Sequence, residues 1–269
     1  MTAILTAVGI LAALGLGSGL ILAVASAVMA VPRDEKAELL RGALPGVNCG
    51  ACGFSGCDGY AEAMAHDGAK VGLCSPGGAE TAEKTAEILG VKNSGVNKIT
   101  ALVRCGGCEE HTTRKLEYRG HPTCAAANQF YGGDLSCNYG CLGYGDCANA
   151  CEYGAITIED GLARIDRSLC TGCTKCTAAC PKSLIIMAQD GARGVVRCMN
   201  RDKGGVTRKV CSVGCIGCMK CTKVCEYDAI HVNNFLAEID FEKCVGCGAC
   251  ADNCPVDCIT IFGYNTNLK

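Results

Sequence analysis

The chain has no tryptophan, 5% aromatic residues and only 6 prolines among 269 residues. So few bulky side chains cannot fill large apolar cores, which points to small units held by cross-links or metal. Charge of one sign is also missing. With 25 Lys and Arg against 27 Asp and Glu, the net charge of −2 lacks the basic footprint of a nucleic-acid binder. The histidines, His66, His111, His121 and His231, stand apart from one another and read as surface or packing residues. No paired carboxylates and no nucleophile–base arrangement stand out, so no catalytic residue is assigned. No strand leads into a Gly-x-Gly-x-x-Gly helix start, which leaves nicotinamide and flavin without a reading here.

Charged side chains are absent altogether from residues 2–32. At about 1.5 Å per residue, twenty such residues cross the roughly 30 Å hydrocarbon layer. A cleaved signal peptide is the competing reading, because Ala23-Val24-Ala25 offers small residues. The run is longer than a signal core and no Lys or Arg precedes it, which favours a retained transmembrane helix. Arg33 and Lys36 follow the span, so the downstream side is expected to be cytoplasmic. Reduced thiols belong in that compartment. Gly15-x3-Gly19 leaves a small-residue face for another membrane helix, or is merely common composition.

Against these absences stand 26 cysteines and 36 glycines. The cysteines fall in tight x2 and x3 steps. Neighbours so close seldom pair as disulfides, but they wrap readily around a cube-shaped cluster. Cys170-x2-Cys173-x2-Cys176-x3-Cys180-Pro181 is the bacterial ferredoxin pattern for [4Fe–4S] ligation. Upstream, Cys49-x2-Cys52-x4-Cys57-x16-Cys74 supplies four thiolates for one further cluster, with zinc as the competing metal. Around it, 60–64 and 81–89 read as helices, the second ended by Gly90.

The cysteine pattern then repeats. Cys141, Cys147, Cys151, Cys170, Cys173, Cys176 and Cys180 recur as Cys215, Cys221, Cys225, Cys244, Cys247, Cys250 and Cys254, an offset of 215 − 141 = 74. Residues 151–170 align without gaps on 225–244, ten of the twenty positions being identical. Short apolar stretches flank a turn at 159–161, which predicts a two-stranded hairpin over the clusters. In a two-cluster ferredoxin each fourth cysteine serves the opposite cluster. That rule groups Cys215, Cys218, Cys221 with Cys254, and Cys244, Cys247, Cys250 with Cys225. It likewise groups Cys170, Cys173, Cys176 with Cys151. Tyr144 stands where the second repeat has Cys218, so Cys137 is the expected substitute beside Cys141, Cys147 and Cys180. The alternative is a three-iron or lost cluster. Five [4Fe–4S] clusters follow. Cys105, Cys124, Cys198 and Cys211 either hold a sixth that bridges the repeats or are buried free thiols. Cys108 has no assigned role, and Cys258, whose counterpart is Leu184, reads as a core residue.

The uncharged anchor, NCGACGFSGC followed by LCSPGG, and the paired ferredoxin runs with YGCLGYGDC resemble the B-subunit family of Rnf complexes, in the longer form with two ferredoxin repeats. The resemblance covers essentially the whole chain. It implies an α+β protein: a transmembrane anchor (1–32), a four-cysteine helical [4Fe–4S] module (33–92), and two ferredoxin-like units (93–197 and 198–269). It further implies a component of a membrane-bound, ion-translocating ferredoxin:NAD⁺ oxidoreductase. Such a component takes electrons from soluble ferredoxin and passes them to membrane subunits, with its cluster domains on the cytoplasmic side. A membrane-tethered electron donor to a sensor or reductase, without pumping, needs the same wire. A zinc-rich structural adaptor is the third reading. Lys175, Lys182, Lys220 and Lys223 lie near ligands and either steer an acidic donor or form an ordinary solvated surface.

Overall fold

The computed structural model describes residues 2–28, 34–93, 95–96, 98–189 and 193–262. The first element, α1 (Thr2–Val28), is apolar on every side. Its stretch Val8–Ser26 has a mean hydropathy of 2.3, and none of it is buried against the rest of the chain. A helix hydrophobic all round with no protein partner is built for lipid. Arg33, on which the sidedness expectation partly rests, lies outside the described residues.

Three helices follow: α2 (Glu35–Ala43), α3 (Cys57–His66) and α4 (Gly78–Leu89). Asp34 caps α2 by accepting the Lys36 and Ala37 N–H groups, and Glu35 and Glu38 sit favourably in its first turn. Leu40, Tyr60, Ala61, Met64 and Ala86 form one small core between the helices. The Tyr60 hydroxyl donates to the Lys70 carbonyl at 2.8 Å and accepts from Leu73 N–H at 3.3 Å, which ties down the loop leading to Cys74. Gly90, left-handed at φ 69°, ends α4 as the sequence predicts. Both predicted helices form, each extending beyond its expected bounds.

The remainder runs β1 (Ile99–Val103), α5 (Cys124–Asn128), α6 (Asp146–Asn149), β2 (Ile156–Glu159), β3 (Leu162–Ile165), α7 (Lys175–Ala179), β4 (Ile185–Gln189), β5 (Gly194–Val196), α8 (Gly204–Val210), α9 (Lys220–Val224), β6 (Ile230–Asn233), β7 (Leu236–Ile239), α10 (Ala249–Asp252) and β8 (Ile259–Ile261). The hairpin expected in each repeat is present. Ile156 pairs with Ile165, and Ile230 with Ile239. Its turn takes two left-handed residues, Asp160 and Gly161 in the first repeat. Asn234 and Phe235 adopt the same turn in the second without glycine. Each repeat closes with a second ribbon, β1 on β4 and β5 on β8, both antiparallel. Thus β5, ahead of residue 198, belongs to the second repeat's sheet. Leu102, Ala188 and Val195, with Ile186, Phe241 and Phe262 packed on them, join the two repeats.

The helical module docks on the first repeat through its ligand loops. Ser75, next to Cys74, donates to the carbonyl of Thr171, next to Cys170, at 2.9 Å. Thr174 donates to the Cys49 carbonyl at 3.4 Å. Gly172 lies in this seam at φ +75°, where a Cβ would fall 2.5 Å from the Ile99 oxygen and 2.7 Å from Ser75 Oγ. Gly172→Ala is therefore expected to destabilise the protein by about 1–3 kcal/mol. Gly205→Ala, with nothing within 4 Å of the added carbon, is expected to be neutral or slightly stabilising. Denaturant midpoints of the two variants check the contrast, and equal midpoints would sink it.

Candidate metal centres

In the helical module, Cys74 has Cys57, Cys52 and Cys49 as its charged neighbours, and burial pushes its thiol pKa up. Asn48 Oδ1 accepts the Cys57 N–H at 2.9 Å, holding the start of α3 beside the loop that carries Cys49 and Cys52. The four cysteines of the spacing motif are thereby brought to one place.

Three cavities in the repeats are each lined by four cysteines. The first holds Cys151, Cys170, Cys173 and Cys176. The second holds Cys225, Cys244, Cys247 and Cys250. A further group joins Cys221 to Cys215 and Cys218, and Cys215 to Cys254. The fourth cysteine of each run thus crosses to the opposite group, as in two-cluster ferredoxins. Backbone N–H groups point at the sulfurs: Ala101 to Cys170 at 3.4 Å, Leu184 to Cys180 at 3.5 Å and Ala229 to Cys225 at 3.4 Å.

The third cavity departs from the expected grouping. Its cysteines are Cys124, Cys141, Cys147 and Cys180, not Cys137. The cause is Asp146, whose two carboxylate oxygens accept the N–H groups of Cys124 and Ala125, both at 2.9 Å. This clamps the start of α5 to α6, which carries Cys147. Tyr144 cannot fill the gap, since its hydroxyl donates to buried Asp134 at 3.0 Å and its ring packs edge-on against Tyr118.

Cys137 instead faces the other way. It neighbours Cys105, Cys198 and Cys211 in a buried junction between the repeats. Around Gly107, the Cys211 and Cys105 sulfurs lie 3.2 and 3.9 Å from where a Cβ would stand. Cys198 Sγ accepts N–H bonds from Asn200 at 3.4 Å and Cys215 at 3.3 Å, and Asn200 Nδ2 donates to Cys137 Sγ at 3.7 Å. Relative to the sequence expectation, Cys124 and Cys137 exchange places. Two half-buried arginines flank this junction. Arg197 donates to the Cys105 carbonyl at 3.0 Å and faces Cys105 and Cys108, while Arg104 faces Cys198. Desolvation pulls both guanidinium pKa values down. Arg197 thus brings cationic charge beside the Cys105 and Cys108 thiols, whereas Arg104 has the Glu238 carboxylate as its first counter-charge.

Comparison with known proteins finds iron–sulfur families over parts of the chain. Three family models match: FeS, an Fe–S cluster family, over 44–76; a 4Fe-4S binding domain over 162–186; and a 4Fe-4S dicluster domain over 209–261. The B subunit of the Na(+)-translocating ferredoxin:NAD(+) oxidoreductase complex of Acetobacterium woodii is 43% identical over 90% of this chain and 73% of its own length. The B subunit of the ion-translocating oxidoreductase complex of Methanosarcina acetivorans is 41% identical over 89% of this chain and 91% of its own. The B subunit of the proton-translocating ferredoxin:NAD(+) oxidoreductase complex of Clostridium ljungdahlii is 38% identical over 89% and 85%. The chain belongs to the B-subunit family of ion-translocating oxidoreductase (Rnf) complexes.

In this Rnf family member, burial raises the thiol pKa of several candidate ligands. It pushes the Cys147 and Cys105 thiols up to about 12, and Cys176, Cys198, Cys221 and Cys250 to about 11. Cys215 and Cys254 go the other way, to about 6, and the neighbouring Cys258 thiol is the first cause of both shifts. Iron binds thiolate, so loading a raised thiol at neutral pH must release its proton. Cluster reconstitution is therefore expected to acidify the solution and to become more complete as pH rises from about 7 to about 9. A pH-stat trace showing no proton release would contradict this.

Proposed function

We propose that this chain carries electrons through six [4Fe–4S] clusters in series, as the iron–sulfur component of a membrane-bound, ion-translocating ferredoxin:NAD⁺ oxidoreductase. The observation that carries the reading is the convergence of 24 of the 26 cysteines into six groups of four. The proposed ligands are Cys49, Cys52, Cys57 and Cys74; Cys151, Cys170, Cys173 and Cys176; and Cys124, Cys141, Cys147 and Cys180. Next come Cys105, Cys137, Cys198 and Cys211; then Cys215, Cys218, Cys221 and Cys254; and last Cys225, Cys244, Cys247 and Cys250. When bound, the clusters supply one-electron chemistry. The chain's own residues hold the thiols in place, donate N–H bonds to the sulfurs and exclude water from the inner groups.

The order given is also the order of contact. The Ser75 and Thr174 hydrogen bonds join the first group to the second. Cys105 faces Cys141 on one side of the junction, and the Cys215 N–H donates to Cys198 on the other. One end of the series lies next to the membrane helix in sequence. At the other end Cys218 and Cys247 are exposed, which suits that end to receive electrons from a soluble donor. The units are taken as an anchor in 1–32, the helical module in 33–92, a first ferredoxin-like unit from 93, and a second that begins with β5 at Gly194. The side facing the cytoplasm is the one bearing the clusters, as reduced thiols require.

Of the four lysines near ligands, two are engaged within the chain. Lys175 pairs with Glu152, and Lys182 donates to the Gly132 and Asn138 carbonyls. Lys220 and Lys223 make no ion pair among the described residues and flank exposed Cys218, so they are placed at the docking face for acidic ferredoxin. Reversing both charges should slow ferredoxin association severalfold at low salt and flatten its salt dependence. Reversing Lys175 should do little by comparison, and equal effects would place docking elsewhere.

The ligand map is tested by iron content. About twenty-four irons per chain are expected, against about twenty for five clusters. Cys105→Ser and Cys137→Ser should each lose one four-iron cluster, and the double variant no more than one, because both serve one centre. Cys105→Ser with Cys124→Ser should lose two. One cluster lost in that pair and two in the Cys105 and Cys137 pair would restore the grouping expected from sequence, and zinc without sulfide would end the electron-carrier reading.

A further inference from the structure

Cys258 stands outside all six groups, yet it touches one of them. Its Sγ lies 3.6 Å from Cys254 Sγ, and Cys215 is its other sulfur neighbour. Both partners belong to the same proposed ligand group. The residue is only 3% exposed and sits among Val196, Ile230, Leu236, Ala237 and Ile259. A buried S–H in so apolar a setting has the ligand sulfurs as its acceptors.

The first repeat is a built-in control. Leu184 occupies the equivalent position, since 258 − 184 = 74, and is 1% exposed. The backbone contact is common to both repeats: Leu184 N–H donates to Cys180 Sγ at 3.5 Å, and Cys258 N–H donates to Cys254. What differs is the side chain. Leucine offers methyl groups where cysteine offers a donor.

We propose that Cys258 is not a ligand but an S–H donor to the cluster thiolates of Cys215 and Cys254, and that it sets this cluster at a higher reduction potential than its counterpart on Cys124, Cys141, Cys147 and Cys180. An added electron increases negative charge on the ligand sulfurs, so a hydrogen bond to them is stronger in the reduced state. Hydrogen bonds to sulfur are among the levers that set cluster potential. The two repeats, alike in backbone, thereby become unequal steps for the electron. The inference rests on the cluster assignment proposed for Cys215, Cys218, Cys221 and Cys254.

The test uses the full-length chain in detergent with its clusters loaded, as wild type and as Cys258→Leu, Cys258→Ala and Cys258→Ser. Iron and sulfide content come first, followed by redox titration monitored by electron paramagnetic resonance. One cluster's midpoint should move negative in the Leu and Ala variants while iron content stays at the wild-type value. The expected size is about a tenfold fall in its reduced-to-oxidised ratio at fixed potential, or about 59 mV for one electron. The Ser variant, which keeps a donor, should stay at or above the wild-type midpoint. Unchanged midpoints with full iron would overturn the proposal. Loss of four irons in all three variants would overturn it too, making Cys258 a ligand or a packing residue. Wild-type protein lacking the cluster on Cys215 would instead remove the assignment beneath it, a failure that iron analysis of Cys215→Ser reveals separately.

Discussion

Sulfur ligands must converge on a point from stretches of chain that cannot themselves form a core, and this constraint organises everything beyond the membrane helix. The short helices α6, α7, α9 and α10 each start directly after a left-handed residue: Gly145, Thr174, Met219 and Gly248. That sharp entry turns the backbone around the space where the cysteines meet. The hairpins then lie across the thiol groups as lids, with Leu162 and Leu236 almost wholly buried at matching places. Apolar burial is modest and scattered over several small clusters, so metal ligation is what gives each unit its centre.

Duplication supplied two similar units, and a few side chains make them unlike. With Tyr144 where the second repeat has Cys218, the fourth thiol lining the first repeat's cavity comes from α5. That recruitment depends on one carboxylate, Asp146, holding two backbone donors. It leaves Cys137 to join Cys105, Cys198 and Cys211 at the junction. The extension preceding each repeat is thus more than a linker: it provides a strand to the sheet and thiols to the junction. The junction thiols lie between the two ferredoxin-like units.

Charge placement runs along the same line. Arg104 and Arg197 lie at the enclosed junction, where an anionic cluster would otherwise be costly to bury. At the far end the ligand residues Cys218 and Cys247 are exposed, and Lys220 and Lys223 stand beside the first of them. Thiols in the middle of the chain are enclosed, and two at the far end are open to solvent.

Much of this was legible in the sequence, because local chemistry writes it there. An uncharged run long enough to cross a bilayer, four-cysteine spacings closed by one loop, and a 74-residue offset each express constraints between residues near in the chain or related by duplication. The hairpins and the helices of the first module followed from the same local signals. The ribbons β1–β4 and β5–β8 were not legible, since their strands pair across long separations with no turn between them. Nor was the exchange of Cys124 and Cys137. Both lie within reach of Cys141 along the chain, and spacing alone favoured the nearer one. Only the tertiary structure decided between them, because the choice turns on which way α5 is held by Asp146 and on what Tyr144 already occupies.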